Sequence, residues 1–250
     1  MREPCASQLA SYDGSMSVDV LFFGAHPDDV EWGAGGMLLL LREKGAKFVL
    51  VDLTEGELGS RGAPEERRQE ASAAADFVGA TARENLHLPD GGLVDSPENR
   101  KHIASVIRRY RPQLVLAPFW KDRHPDHAAT GLMVRNSSLY CALAKLNDGH
   151  QPHKPSAFLY FLLHHYRHPS LIVDITSVYA QKLELLRLHH SQFSKTADQF
   201  GVLPLGMSDY LYGLESRDRY FGSLVGAHHG EALVADRPLK LPSLSDFFTH

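Results

Sequence analysis

The sequence predicts an α/β fold of the Rossmann-like type, in which helices flank a mainly parallel sheet on both faces. Two observations lead to this prediction. Short apolar and β-branched runs, typical of buried strands, alternate with longer segments typical of helices. Motifs rich in histidine and aspartate follow two of these strands, where open α/β sheets place their ligands.

The first βαβ pattern occupies the start of the folded region. Residues 18–23 form an apolar run that ends at Gly24, which predicts a buried strand. Leucines and a closing Gly45 predict a helix at 35–45. Residues 48–53 repeat the apolar run, so they are predicted to be the second strand.

Two helices with clear ends follow. Pro64–Val78 begins with proline, has two glutamates in its first turn and precedes Gly79, so a helix is predicted over that range. A short strand is predicted at 85–88. The next helix is predicted at 97–110, because Pro112 cannot continue it.

The remaining elements repeat the alternation. Strands are predicted at 114–117, 158–163 and 171–174, and helices at 126–146 and 177–190. Residues 195–213 are rich in glycine and aromatic residues, which favours an irregular loop that folds over a site.

Composition excludes several classes of protein. The net charge of −4 disfavours a non-specific nucleic-acid binder, and no apolar run is long enough to span a membrane. Two cysteines, Cys5 and Cys141, are too few for a disulfide framework. Residues 1–17 are small and polar with no targeting pattern, so we expect a disordered extension, a single domain over 18–250 and a cytoplasmic protein.

Two short motifs carry the chemistry. Residues 24–31 read Gly-Ala-His-Pro-Asp-Asp-Val-Glu, and residues 122–127 read Asp-Arg-His-Pro-Asp-His. A single histidine beside an aspartate is more often a surface pair or a helix cap, but two such clusters at equivalent strand ends favour a metal site. Two imidazoles, one carboxylate and an open position for water suit a divalent cation.

The spacing within each motif indicates which of its side chains can share one site. Successive side chains point in opposite directions along an extended segment, so only one of Asp28 and Asp29 can chelate while the other accepts a proton. His124 and His127 are three residues apart, so one helical turn brings both to the same face. The chain has no phosphate-binding loop of the Walker type and no nucleophile elbow.

In this order and separation, the motifs resemble those of the LmbE-like, or PIG-L-type, family of zinc-dependent N-acetylglucosamine deacetylases. The resemblance extends from Val18 to about Leu233. The sequence is most similar to the bacillithiol-biosynthesis branch of that family. Further matching stretches lie at 52–62, 66–71, 88–90, 111–112 and 191–193.

The resemblance implies a role for each matching residue. The implied zinc ligands are His26, Asp29 and His127, and the implied general base is Asp28. His124 would stabilise negative charge or act as an acid, with Asp126 as its orienting partner. Arg67 would bind the substrate, and Tyr210 would close over the acyl group. Arginine can bind a carboxylate through two parallel hydrogen bonds, which makes Arg67 and Arg123 candidates for an anionic group of the substrate.

These roles imply the hydrolysis of N-acetylglucosaminyl-malate to glucosaminyl-malate and acetate by a trimer or hexamer. The ligand set alone also admits Fe²⁺ or another divalent ion in place of Zn²⁺. Three alternatives stay open: a deacetylase of another N-acetylated sugar, an amidase of a thiol–sugar conjugate, and a sugar- or nucleotide-binding domain without catalysis. Residues 229–233 depart from the family pattern, which affects the expected oligomer interface.

Overall fold

The computed structural model describes residues 17–164, 167–193, 207–240 and 243, with the backbone alone for residues 207–210. Within that part of the chain, the strands are β1 Val20–Gly24, β2 Phe48–Asp52, β3 Ala82–Asn85, β4 Leu114–Pro118, β5 Ala157–Phe161, β6 Leu171–Asp174 and β7 Gly230–Ala235. The helices are α1 Asp29–Glu43, α2 Pro64–Val78, α3 Pro97–Tyr110, α4 Pro125–Tyr140, α5 Tyr179–Arg187, α6 His190–Phe193 and α7 Met207–Ser223. A short 3-10 turn, Thr176–Val178, precedes α5.

The strands form a single sheet in the order β3-β2-β1-β4-β5-β7-β6. The first five strands in that order are parallel to one another, and β7 runs antiparallel to β5 and β6. The predicted α/β fold with a mainly parallel sheet is therefore confirmed. From β1, the chain builds β2 and β3 on one side and β4 and β5 on the other. Connections that leave in opposite directions open a crevice between the carboxyl ends of β1 and β4.

Two apolar layers cover the sheet, one on each face. Leu21 and Phe23 of β1 pack on one side with Ile107 of α3, whereas Phe22 packs on the other side with Leu38 of α1. All five side chains are fully buried. This alternation follows the period of two along a strand, and it explains why β1 reads as a continuous apolar run.

The elements with clear end signals have the predicted bounds: α2, α3 and β6. Gly79 ends α2 in the left-handed region, with φ 68°. At the start of α3, the Ser96 hydroxyl accepts a hydrogen bond from the backbone N–H of Asn99 at 3.1 Å. At its end, Arg111 has φ 45°, immediately before Pro112.

Two predicted bounds are wrong for reasons that lie elsewhere in the chain. The strand predicted at 85–88 is β3, three residues earlier, and the side chain of its last residue, Asn85, donates to the carbonyl of Thr54 at 2.6 Å. The helix predicted at 126–146 ends at Tyr140. Beyond it, the buried guanidinium of Arg108 donates to the carbonyls of Tyr140, Cys141 and Leu146 at 2.8–3.0 Å, so these carbonyls have partners without a further helical turn.

Other differences concern the helices of the second layer. The helix predicted at 35–45 starts at Asp29 and has a kink at Ala34, where φ is −142°. The helix predicted at 177–190 is divided into the 3-10 turn, α5 and α6. Residues from 207 onward in the segment predicted as a loop belong to α7, and β7 was not predicted.

The expected disordered extension, residues 1–17, lies outside the described residues except for Ser17. In the described ranges, no helix combines the length and apolar character needed to cross a bilayer.

Candidate active site

A cavity of about 390 Å³ opens at the carboxyl ends of β1 and β4. Side chains from both motifs line it: His26, Asp28, Asp29, His124, Asp126 and His127. They meet because β1 and β4 are adjacent and parallel, so the segments that follow them leave the same edge of the sheet.

Asp29 is held in place by the turn after β1. Its Oδ2 atom accepts hydrogen bonds from the backbone N–H groups of Ala25 at 2.8 Å and His26 at 3.0 Å. Its Oδ1 atom lies 3.1 Å from Nε2 of His127. One carboxylate oxygen thus fixes the turn, and the other faces the second motif.

The two histidines of the expected ligand set converge on Asp29. One ligand atom from each of His26, Asp29 and His127 lies within 4.8 Å of the others, and all three residues are buried. The opposite ring nitrogen of His127, Nδ1, lies 3.3 Å from Oδ1 of Asp122. An imidazole with one nitrogen on a carboxylate and the other in a cluster of donors is the usual arrangement for a metal ligand.

The electrostatics of this cluster favour added positive charge. Burial alone would lower the pKa of His26, but the carboxylates of Asp126, Asp29 and Asp90 outweigh it and raise the pKa to about 12. Burial is likewise outweighed at His127, where Asp29 and Asp122 raise the pKa to about 9. A divalent cation at this position would supply the positive charge that the carboxylates otherwise draw onto the two rings.

Asp28 and Asp29 have different partners. The Oδ1 atom of Asp28 lies 3.5 Å from Nη2 of Arg67, and Asp28 is partly exposed to the cavity. Nη1 of Arg67 donates to the carbonyl of Gly56 at 3.1 Å. Gly56 has φ 68°, and a Cβ there would lie 1.9 Å from Nη1, so only glycine allows this close approach.

His124 caps α4 and faces the cavity next to His127, with ring centroids 4.5 Å apart. Its Nδ1 atom accepts a hydrogen bond from the backbone N–H of Asp126 at 3.3 Å. Burial lowers the pKa of His124, and the neighbouring His127 and His26 lower it further. The neutral ring with its proton on Nε2 is therefore the favoured form.

The structure does not support Asp126 as the orienting partner of the His124 ring through its carboxylate. That carboxylate instead accepts hydrogen bonds from the backbone N–H groups of Gly91 at 2.8 Å and Leu93 at 3.4 Å. It also lies 3.5 Å from Nε2 of His26. The loop after β3 supplies backbone donors that compete for Asp126, and no sequence pattern indicates them.

One of the expected substrate residues, Arg123, stands apart from this cluster. Arg123 is exposed and lies outside the residues that line the cavity, whereas Arg67 lines it. Arg123 lies immediately before His124, the residue that caps α4. Tyr210 lies in the first turn of α7, and its side chain is outside the described residues.

Comparison with known proteins identifies the family. The model of the PIG-L family, GlcNAc-PI de-N-acetylase, matches residues 21–138. A diacetylchitobiose deacetylase from Thermococcus kodakarensis is 31% identical over 216 residues, which cover 80% of each chain. This chain belongs to the PIG-L family.

Two further relatives extend the comparison. A conserved protein of known structure from Thermus thermophilus is 34% identical, with a TM-score of 0.81 over 90% of this chain and 98% of that one. A 1D-myo-inositol 2-acetamido-2-deoxy-alpha-D-glucopyranoside deacetylase from Kineococcus radiotolerans is 31% identical over 170 residues, 52% of this chain and 46% of that protein. The protein is thus an enzyme of a deacetylase family, and the resemblance to PIG-L proteins is confirmed.

Residues without an expected role also line the cavity or contact the residues that line it. Asp90 lies 3.0 Å from Nε2 of His26, and Asp122 contacts His127 and His164. Trp32 and Phe193 stack with ring centroids 5.5 Å apart and form an apolar wall of the cavity. A signal existed for Asp122, which opens the second motif, and for His164, which directly follows the strand predicted at 158–163.

Proposed function

We propose that this protein is a zinc-dependent N-deacetylase that removes acetate from an N-acetylglucosaminyl conjugate. The proposed substrate is N-acetylglucosaminyl-malate, which yields glucosaminyl-malate for bacillithiol biosynthesis in the cytoplasm. The observation that carries the proposal is the convergence of His26, Asp29 and His127 beside two further ionisable side chains, Asp28 and His124, in one cavity.

The donor set fits a divalent cation. Two imidazole nitrogens and one carboxylate oxygen, all buried and within 4.8 Å of one another, are the ligands of hydrolytic zinc sites. Fe²⁺ suits the same ligands, so zinc is the proposed but not the sole candidate. When bound, zinc lowers the pKa of a water molecule to about 7 and polarises a carbonyl group.

Asp28 is the proposed general base. It lines the cavity next to the ligand Asp29, and its carboxylate is not needed to hold the turn. The guanidinium of Arg67, 3.5 Å away, balances its negative charge and holds its orientation. Asp28 can then take a proton from the attacking water and pass it toward the amine that leaves.

His124 is the proposed donor to the oxygen of the reacting amide. Because the N–H of Asp126 donates to Nδ1, the Nε2–H of the neutral ring is available for a hydrogen bond to the developing oxyanion. Asp126 then contributes through its backbone N–H, and its carboxylate holds the loop that carries Asp90.

Substrate recognition is proposed to rest on the arginines of the cavity wall. Arg67 and Arg61 line the cavity and can face a carboxylate of the malate group. Arg123, which lies outside the cavity, is proposed to attract the malate carboxylates at a distance. Tyr210 is proposed to close over the acyl group of the substrate. A homo-oligomer, trimer or hexamer, is proposed from the family resemblance alone.

A substrate panel tests this proposal. Acetate release and metal content would be measured on the same zinc-loaded sample with N-acetylglucosaminyl-malate, N,N′-diacetylchitobiose and N-acetylglucosamine. We expect kcat/KM for the malate conjugate to exceed that for N-acetylglucosamine by at least about tenfold, the effect of one hydrogen bond to a charged group. Equal values would contradict the malate assignment, and no acetate from any sugar would contradict the deacetylase.

A second candidate follows from the relative in Thermococcus kodakarensis, whose name specifies diacetylchitobiose. If the panel shows the highest kcat/KM with that disaccharide, this candidate replaces the malate conjugate. Arg61→Gln provides the matched variant. It should reduce turnover of the malate conjugate and leave that of the uncharged disaccharide within about twofold, because only the former carries carboxylates.

A further inference from the structure

Asp122 contacts the imidazole of His127 on the side of the ring away from Asp29. Nε2 of His127 faces Asp29 at 3.1 Å, so Nδ1 is the far nitrogen, and it lies 3.3 Å from Oδ1 of Asp122. The direction in which Nε2 points therefore depends on where the Asp122 carboxylate lies. That carboxylate is almost completely buried, with 2% of its side chain exposed.

Asp122 is in turn fixed by His164. Nδ1 of His164 lies 3.3 Å from Oδ1 of Asp122, and the backbone N–H of His164 donates to Oδ2 at 2.9 Å. The backbone N–H of His124 adds a third contact at 2.9 Å. The ring of His164 also stacks on that of His127, with centroids 5.2 Å apart and planes at 8°. These contacts join the end of β5 to the motif after β4.

We propose that His164 is a positioning residue for the metal site: through Asp122 and by stacking, it holds the His127 ring so that Nε2 points at the cation. This inference rests on the proposed metal site but not on the identity of the substrate. His164 follows β5, whose carboxyl end lies beside that of β4. The parallel sheet therefore brings His164 to His127, although His164 belongs to neither motif. Loss of such an outer contact typically weakens metal binding by about 10- to 100-fold.

Three substitutions separate this role from a direct contact with substrate. His164→Asn retains an amide N–H near the position of Nδ1, His164→Gln places one near the position of Nε2, and His164→Ala removes both. All three keep the backbone N–H on Asp122. The dissociation constant for Zn²⁺ would be measured by competition with a chromophoric chelator, together with kcat, KM and the melting temperature of the metal-free protein.

We expect His164→Ala and His164→Gln to bind Zn²⁺ at least about tenfold more weakly than the native protein, and His164→Asn to stay within about threefold. His168→Ala, an exposed histidine on the same connection, is the matched control and should bind Zn²⁺ as the native protein does. In an Asp122→Asn background, His164→Ala should have little further effect, because both residues act through one pathway.

Native affinity in His164→Ala with an unchanged melting temperature would overturn the proposal. So would rescue by glutamine instead of asparagine, since that pattern indicates a contact through Nε2. A second Zn²⁺ ion that requires Asp122 and His164 would also overturn it, because the two residues would then be ligands themselves. A native protein that binds one Zn²⁺ but releases no acetate refutes only the proposed function, and one that binds no metal refutes both.

Discussion

The adjacent aspartates of the first motif have different partners and, on this account, different roles. Asp29 is buried and accepts two backbone hydrogen bonds, whereas Asp28 faces the cavity and Arg67. The difference arises because α1 begins at Asp29 and Asp28 is still outside the helix, with φ −179°. A metal ligand and a base can thus be adjacent in sequence without competing for the same position.

Asp28→Asn tests this division. The amide has the shape of the carboxylate but cannot accept the proton, so we expect kcat to fall by at least about 10²-fold while zinc content stays at one ion per chain. Asp76→Asn, an exposed position on α2, is the control and should leave kcat unchanged. A kcat for Asp28→Asn within threefold of the native value would remove Asp28 from the mechanism.

Cys141 provides a test of burial that is independent of the site. It is fully buried, and burial raises the pKa of its thiol to about 12. In a Cys5→Ser background, we therefore expect no reaction with a disulfide reagent at pH 8 until the protein unfolds. Rapid labelling of the native protein would show that this helix end opens readily.

The same shift makes a prediction about stability. The unfolded thiol ionises near pH 9 and the folded one near pH 12, so the contribution of Cys141 is present below pH 9 and is lost as the pH rises above it. The free energy of unfolding, measured in urea, should fall relative to Cys141→Ala by up to about 1.4 kcal/mol per pH unit in that range. Parallel pH profiles of the two proteins would contradict the assignment.

Helix α1 is kinked, and side chains from distant elements bond the backbone groups beside the kink. The kink at Ala34 removes regular helical partners from the turn around it. Glu231 of β7 accepts hydrogen bonds from the N–H groups of Gly36 and Met37, both at 2.8 Å. Arg217 of α7 donates to the carbonyl of Trp32 at 2.8 Å. Two late elements therefore cap the two halves of the first helix.

Glu231 also belongs to a fully buried ionic cluster. Its Oε1 lies 2.7 Å from Nζ of Lys182, which lies 2.6 Å from Oδ2 of Asp218. Glu231→Ala leaves two N–H groups and part of the lysine charge without a partner, so we expect a loss of about 3–5 kcal/mol in the free energy of unfolding. Glu215→Ala on the surface of α7 should cost less than about 1 kcal/mol. Urea unfolding measures both, and equal losses would contradict the account.

These elements mark the limit of prediction from sequence. The helices α2 and α3 have the predicted bounds because their signals, Pro64 and Gly79 for α2 and Pro112 for α3, are local. The backbone groups beside the kink of α1 are bonded by Arg217 and Glu231, which lie 185 and 195 residues from their partners, and a pattern read along the chain does not contain that pairing. The antiparallel β7 was missed for the same reason.

The site, like the fold, has features that could be predicted from the sequence and others that could not. The different partners of Asp28 and Asp29 follow from the start of α1 at Asp29, whereas that start was predicted at residue 35. Both motifs were predictable, because they depend on residue type and on their positions after two strands. The partners of Asp126 were not, since Gly91 and Leu93 contribute backbone N–H groups that any residue except proline could supply. The assignment of His26, Asp29 and His127 as a metal site stays a prediction.

For the molecule as a whole, metal binding should be linked to stability. The unfolded chain separates residues 26, 29 and 127, so a cation held by all three stabilises the folded state. At free zinc 100 times above the dissociation constant, the gain is about 2.7 kcal/mol, or roughly 5–10 °C in melting temperature for a chain of this size. A chelator should reverse the shift, and His127→Ala should abolish it. A melting temperature insensitive to zinc in the native protein would contradict the linkage.

The proposed function requires His26, Asp29 and His127 to hold one divalent cation together. Anomalous diffraction from crystals of the zinc-loaded protein, collected on both sides of the zinc absorption edge, tests it most directly. We expect one strong anomalous peak per chain, within about 2.0–2.2 Å of a nitrogen from each histidine and an oxygen of Asp29. A peak bound to other side chains, or none at all in this cavity, would contradict it.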